Sequence, residues 1–348
     1  MSNEEENAVE YVKVEPPHMY MGFTKDELMF KTFLSMSFIA LASVIVMGLD
    51  AFFHIMIAVV TVILVHGLIF YYQKWRGMKP TYESPSSPMV AGLIVGLAMP
   101  IASPFLVTVT VALITILVFK YGQGAYFDRK YVNPAAASKT VLLVLLSLMI
   151  FLEDSLDVGM IFHPHHLSLD LLSAEGFQDS MWIFSGKILP ILGIELSPAQ
   201  ALVLWQTHGW IGGASGIVVL VVGALAAYWL KFKWRIIIST LTTMTALAVI
   251  TGLAVGGDPI LRIAFHVFTG SVIFMVFFMA TEPQSTPMPE ISQIIFGVTL
   301  ALLTFALQLL NVLGGSIIAL LVLNLATPYL DKIGIRTPYG LREDDGGT

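Results

Sequence analysis

Long apolar stretches alternate with short polar ones along the chain, and the apolar stretches are too long for ordinary soluble helices. Ten stand out, at about 31–49, 51–72, 88–101, 104–120, 136–152, 210–230, 235–254, 262–280, 292–310 and 312–330. About 20 apolar residues are what a helix needs to cross a bilayer. Two of the ten depart from that length or continuity. The third has only about 14 residues and ends in Pro100, and the eighth is interrupted around Thr269-Gly270, so both predict broken or re-entrant helices. The expected fold class is an all-α integral membrane protein of about ten transmembrane helices. It divides into a cytoplasmic N-terminal segment (1–30), a first five-helix repeat (31–152), an extracytoplasmic loop (153–208), a second five-helix repeat (209–330) and a cytoplasmic tail (331–348).

Composition agrees with that pattern. Charged residues are 12% of the 348, hydrophobic residues 56%, and the mean hydropathy is +0.81. An average globular protein is about 25% charged and could not hide this much apolar surface. The chain has no cysteine, which excludes disulfides, thiolate-bound iron–sulfur clusters and Cys-ligated zinc. A net charge of −6 argues for no polyanionic partner, and no nucleic acid is expected. The first residues, MSNEEENAVE, are acidic, and no apolar run precedes Leu34, so no cleaved signal peptide is expected.

Lys and Arg excess marks cytoplasmic loops. With the N-terminus inside, 16 of the 18 fall on the cytoplasmic side, among them Lys120 and Lys139, and only Lys187 and Arg262 fall outside. Both termini are then cytoplasmic, in a multi-pass protein of the inner (plasma) membrane. The loop 153–208 lies outside and carries seven carboxylates against one Lys. It is too long for an inert connector.

Five spans precede that loop and five follow it. Each half has a short or broken third element and a polar, proline-bearing stretch, YVNPAAAS at 131–138 and MATEPQSTP at 279–287. An odd number of spans per half sets the halves in opposite orientations, as in transporter-like folds whose discontinuous helices meet near the midplane. Pro and Gly are also simply frequent in transmembrane helices.

Candidate chemistry sits at these stretches. Asn133 before Pro134 reads as an N-cap with proline at the first helical position. The same helix start can also hold an anionic or carbonyl-rich ligand. Thr281, Glu282, Gln284, Ser285 and Thr286 put five polar groups into six residues directly after VIFMVFFMA, which is costly unless they cap helices or face a ligand. His163, His165 and His166 in the outer loop, with His208 at its far end, lack the spacing of a metal site, and no metal is expected. Of the histidines beside or within spans, His54, His66 and His266, the last lies four residues before the break at Gly270 and is the functional candidate. A neutral His bonded between helices is the alternative.

These runs resemble the NqrB/RnfD family, the membrane flavin subunit of Na⁺-translocating NADH:quinone reductase and Rnf electron-transport complexes. SPMVAGLIVGLAMP at 87–100 matches its third helix through Ser87, Gly92 and Pro100, and Asn133-Pro134-Ala135 resembles its FNPA segment. HVFTGSVIFMVFFMATEPQSTP at 266–287 is the most specific match, and LLVLNLATPYLDK ends like the family through Asn324, Pro328 and Asp331. The resemblance implies a ten-helix inverted repeat in a multi-subunit translocase that carries electrons on flavin and couples this to Na⁺ or H⁺ movement. It implies a non-covalent flavin, FMN or riboflavin, contacted by Ser87, Asn133, Pro134, His266, Thr281, Glu282, Ser285 and Thr286.

Two departures cluster at the outer face. The family esterifies a second FMN to a threonine in a Ser-x-Ala-Thr motif, and the corresponding position here is Glu175, so no covalent FMN is expected. The sixth helix has Gly213 and Ala214 where the family has Glu and Thr. No nucleotide-binding Gly-rich loop is present, so NADH or ferredoxin chemistry belongs to partner subunits. The rival class is a small-solute transporter or channel on the same scaffold.

Overall fold

The computed structural model describes residues 24–101, 103–127, 131–144, 171, 173–175, 177–178, 197–205, 210–270, 272–310, 312 and 314–333. The helices are α1 (Lys25–Met47), α2 (Leu49–Trp75), α3 (Ser86–Ala98), α4 (Phe105–Tyr126), α5 (Pro134–Val144), α6 (Pro198–Leu204), α7 (Gly216–Trp229), α8 (Trp234–Val255), α9 (Pro259–Phe268), α10 (Val272–Met279), α11 (Glu290–Leu309) and α12 (Gly315–Leu330). There is no strand among the described residues, only an isolated bridge between Pro100 and Trp210. Of these helices α1, α2, α4, α8 and α11 are long and apolar enough to cross a membrane. The pair α9 and α10 passes the same test together, bent by 60° at its break, and α3, α5, α7 and α12 are shorter apolar helices.

Local sequence accounts for the helix ends. Thr24 caps α1 by accepting from the Glu27 amide, and Asp258 caps α9 by accepting from Ile260, with Pro259 at the first helical position. Gly48 turns the chain between α1 and α2 at a φ of +83°, open to glycine and strained for other residues. Residues Thr115–Gly122 of α4 and Met275–Met279 of α10 are wound as wider π-turns, which recur at functional sites.

The core is apolar and, unlike in a soluble protein, so is much of the outer face. Leu34, Phe38, Leu41 and Ile45 form an exposed stripe along α1, while Thr32, Met36, Ile39 and Ser43 face inward. Apolar side chains outward and hydroxyls inward is the arrangement lipid favours, because buried polar groups find partners only inside the bundle. His54 bonds Thr108 at 2.7 Å and His66 bonds Tyr121 at 2.7 Å, tying α2 to α4. Gly92 and Gly96 let α3 lie directly on the α2 backbone at Val59 and Ile55, the close approach that small residues four apart allow between membrane helices.

Three of the basic residues in that charge count are buried in the bundle. Lys120 and Lys139, counted above with the cytoplasmic side, are 3% and 1% exposed inside the bundle. Arg262 is fully buried, donating to the carbonyls of Leu171 (2.8 Å) and Gly256 (3.0 and 3.2 Å) and lying 4.3 Å from the Phe177 ring centre. It therefore clamps the described part of the long connection onto the start of α9. The third helix begins at Ser86 and the eighth segment at Pro259, a turn or so earlier than hydropathy places them. His163, His165, His166 and His208, and the fifth span beyond Val144, lie outside the described residues.

Candidate functional site

The two polar, proline-bearing stretches meet. Asn133 Oδ1 accepts from the amides of Ala135 (2.9 Å) and Ala136 (3.2 Å), so it is the N-cap of α5. Its Nδ2 donates to the Met279 carbonyl at 3.0 Å, so it also bonds to the end of α10 in the other half of the chain. With the Asn324 amide oriented to satisfy its neighbours, its nitrogen donates to the Ser285 carbonyl (3.0 Å) and its oxygen accepts from the Asn133 amide (3.1 Å). Thr327 Oγ1 donates to the same Ser285 carbonyl at 2.9 Å. Asn133, the 279–286 turn and α12 thus form one hydrogen-bonded knot across 146 residues of chain.

Within the turn Thr281, Glu282, Ser285 and Thr286 each have a local partner, and Gln284 is exposed. Thr281 donates back to Phe277, Ser285 donates to the Glu282 carboxylate at 2.7 Å, and Thr286 donates to the Glu282 carbonyl. Lys233, just before α8, donates to the carbonyls of Pro283 and Thr286 and to the Thr286 hydroxyl. The turn is closed on itself and pinned by a cation, which explains how four of its five polar residues sit at the mouth of an apolar helix.

A second polar group lies at the same end. Lys120 Nζ donates to Ser87 Oγ at 2.8 Å in the first turn of α3, and sits 5.0 Å from the centre of the Tyr82 ring. Lys25 approaches the same ring at 5.4 Å, and Tyr121 meets it edge-on at 5.2 Å. Burial, then the neighbouring Tyr121, then the Glu282 carboxylate push the Tyr82 hydroxyl from 10.0 up to about 12. The stabilisation from the protonated phenol is complete below pH 10 and lost as pH rises through 12. A Tyr82→Phe chain should therefore show a flatter fall of thermal midpoint between those pH values than the wild type. An unchanged slope would dissociate Tyr82 from this cluster.

His266 does not join this end. It lies in α9, which starts where the 22-residue α8 ends, so about 33 Å of helix separates that end from the Lys233 side. Its Nδ1 pairs with Gln308 Oε1 at 2.9 Å, and Gln308 Nε2 donates to the His266 carbonyl at 3.1 Å. Since that oxygen only accepts, Nδ1 carries the proton, and the buried Nε2 has no hydrogen-bond partner. Glu175 is exposed, with Ala174 beside Gly256. Sequence reasoning missed Tyr82 because a tyrosine between helices carries no motif. Asn324 was visible only as part of the terminal match.

Comparison with known proteins gives the same direction. Residues 12–340 match the family described as NQR2, RnfD, RnfE. The chain is 24% identical over 331 residues to the D subunit of the proton-translocating ferredoxin:NAD(+) oxidoreductase complex of Clostridium ljungdahlii, covering 94% of this chain and 95% of that one. It is 26% identical over 273 residues to the D subunit of the Na(+)-translocating ferredoxin:NAD(+) oxidoreductase complex of Acetobacterium woodii, covering 76% of each. The D subunit of the ion-translocating oxidoreductase complex of Methanosarcina acetivorans is 30% identical over 181 residues, covering 51% of this chain and 57% of that one. With a match that runs through both halves and every element of the site, the chain belongs to the NQR2, RnfD, RnfE family.

Proposed function

We propose that the chain is the D-type membrane subunit of an Rnf-like, ion-translocating electron-transport complex, binding a non-covalent flavin, FMN or riboflavin, at the cytoplasmic end of its bundle. The observation that carries this reading is the Asn133 knot, in which the two halves hydrogen-bond at the stretch of densest family resemblance. Both termini face the cytoplasm, and the bundle is a five-plus-five inverted repeat of ten spans in the plasma membrane. In support of the repeat, α2 packs on α3 and α4 in one half, and α8 packs on α9 and α11 in the other. Other subunits of the complex bring the soluble electron donor or acceptor.

The residues at this end suit a flavin by the chemistry of their donor set. An isoalloxazine needs hydrogen-bond donors along its carbonyl edge and flat apolar or aromatic walls. Lys120 and Ser87 supply donors, and Tyr82 and Tyr121 supply aromatic surface. Bound flavin would take up and release electrons singly or in pairs, which no side chain here can do. Lys120 places positive charge beside that edge. Asn133 and Pro134 fix the start of α5, and Glu282, Ser285 and Thr286 hold the turn shut against water. His266 belongs to the helix break and not to this set.

The chain purified from riboflavin-replete cells should be yellow, with a flavin spectrum, and should leave no fluorescent band on a denaturing gel. A colourless preparation would refute the reading. A fluorescent band would show that an ester forms despite Glu175.

A further inference from the structure

The helix α2 sets one basic end at a membrane surface. Apart from two histidines, Asp50 and Lys74 are the only ionisable acidic or basic residues in its 27, and the helix between them spans about 36 Å. A hydrocarbon core is about 30 Å thick, so Lys74 stands at headgroup level when Asp50 stands at the opposite surface. Leu64, Leu68, Tyr71 and Trp75 are exposed and fall within about 60° of one another around the helix. The last two, 74% and 73% exposed, carry the amphipathic rings that settle at a membrane–water interface.

The turn that follows is fixed. The Met78 amide donates to the Gln73 carbonyl at 2.9 Å and the Gly77 amide to the Lys74 carbonyl at 3.1 Å, a Schellman closure with Gly77 at a φ of +70°. The Gln73 side chain holds Thr81 by two more bonds, Nε2 donating to Oγ1 at 3.0 Å and Oε1 accepting from the amide at 3.1 Å. This turn presents Lys74, Arg76 and Lys79, all exposed, with no carboxylate between Tyr71 and Thr81. Around the helix Lys74 and Arg76 stand about 100° to either side of Trp75. They lie 5.9 Å from the ring centres of Phe70 and Tyr72, and among the described residues none of the three cations forms an ion pair.

The end of α7 carries the same order of residues with its cations engaged by protein. Tyr228-Trp229-Leu230-Lys231-Phe232-Lys233 repeats the pattern of Tyr71-Tyr72-Gln73-Lys74-Trp75-Arg76. There Lys233 turns in to the Pro283 and Thr286 carbonyls, and the next cation, Arg235, pairs with Glu290 at 2.6 Å. The α2 end leaves the same kind of charge facing outward.

We propose that the end of α2 and its turn bind an anionic phospholipid, with the headgroup held by Lys74, Arg76 and Lys79 and an acyl chain along Trp75, Tyr71, Leu68 and Leu64. Three unpaired cations select negative charge, and the apolar stripe below them selects a lipid over a soluble phosphate. The inference goes beyond the flavin reading and does not depend on it, since no cofactor contact enters.

The test is native mass spectrometry of the full-length, delipidated chain in detergent, titrated with phosphatidylglycerol or phosphatidylcholine, with and without inorganic phosphate. The first phosphatidylglycerol should bind at least about ten-fold more tightly than phosphatidylcholine, and inorganic phosphate at equal concentration should not displace it. Each cation near a membrane surface contributes about five-fold, so K74Q/R76Q/K79Q should weaken phosphatidylglycerol on the order of a hundred-fold and leave phosphatidylcholine unchanged. K74R/K79R should bind as wild type does. The proposal is overturned if wild type binds the two lipids alike, if the triple variant keeps the preference, if Lys231→Gln alone abolishes it, or if inorganic phosphate competes. The substituted side chains are exposed, and a thermal midpoint taken on each sample shows that the variant is folded.

Discussion

An Asn133→Ala chain is expected to lose about 2–4 kcal/mol of stability and most of its flavin. Loss of the cap on α5 contributes about 1 kcal/mol. The buried Met279 carbonyl loses its donor at the same time, and an unsatisfied buried polar group costs about 1–3 kcal/mol more. Because the same side chain caps one half and bonds the other, the two α5 amides and the end of α10 shift together. Asn133→Ser separates these effects. A serine oxygen still caps α5 and cannot reach Met279 as the amide does, so its stability should fall between those of wild type and alanine. The readouts are the thermal midpoint and the flavin-to-protein ratio after denaturation. Full flavin stoichiometry in the alanine variant would remove Asn133 from the cofactor site, and an unchanged midpoint would remove the knot itself.

The largest purely structural effect should come from Gly96→Val. A Cβ at Gly96 would lie 2.7 Å from the Ile55 Cα, and a backbone atom cannot rotate aside as the end of a side chain can. α2 and α3 would have to separate, costing about 1–3 kcal/mol for overpacking and further dispersion along the seam. Since α3 carries Ser87 at one end and the Met99 contact to Ile211 at the other, separation moves both ends of the bundle. A graded series is expected. Gly92→Ala, where the nearest atom is 3.1 Å away, should be milder than Gly96→Ala, and Gly96→Val should be the most severe. Gly67→Ala in α2, with nothing within 4 Å, should be neutral or slightly stabilising. Unfolding midpoints in lipid give the order, and equal effects at positions 67 and 96 would contradict the seam.

Much of the fold was legible because hydropathy reports the solvent directly. Each apolar stretch contains a helix, and both expected breaks are present, after Ala98 and at Thr269–Gly270. The break positions were legible because Pro100 and Gly270 are backbone devices whose effect is local. Asn133 was legible as a cap by its proline neighbour. The knot it forms with Met279 and Asn324 was not, since no local pattern says which carbonyl a spare amide hydrogen will meet. His266 was singled out for its place four residues before the break at Gly270 and joined the expected flavin set with the 266–287 resemblance, yet the reversal between α8 and α9 sets it against Gln308.

The charged residues divide the two kinds of knowledge most sharply. By itself, the sequence determined that the chain lives in a bilayer and where its helices break, because partition between water and hydrocarbon acts on each segment independently. Only the tertiary structure decided that Lys120, Lys139 and Arg262 are internal. Lys120 donates to Ser87, Lys139 faces Trp210, and Arg262 holds the Leu171 and Gly256 carbonyls. A lysine near a helix end has the same sequence signature whether its ammonium reaches the interface or turns inward. The choice depends on what the neighbouring helices present to it, and that is a property of packing between segments distant in the chain.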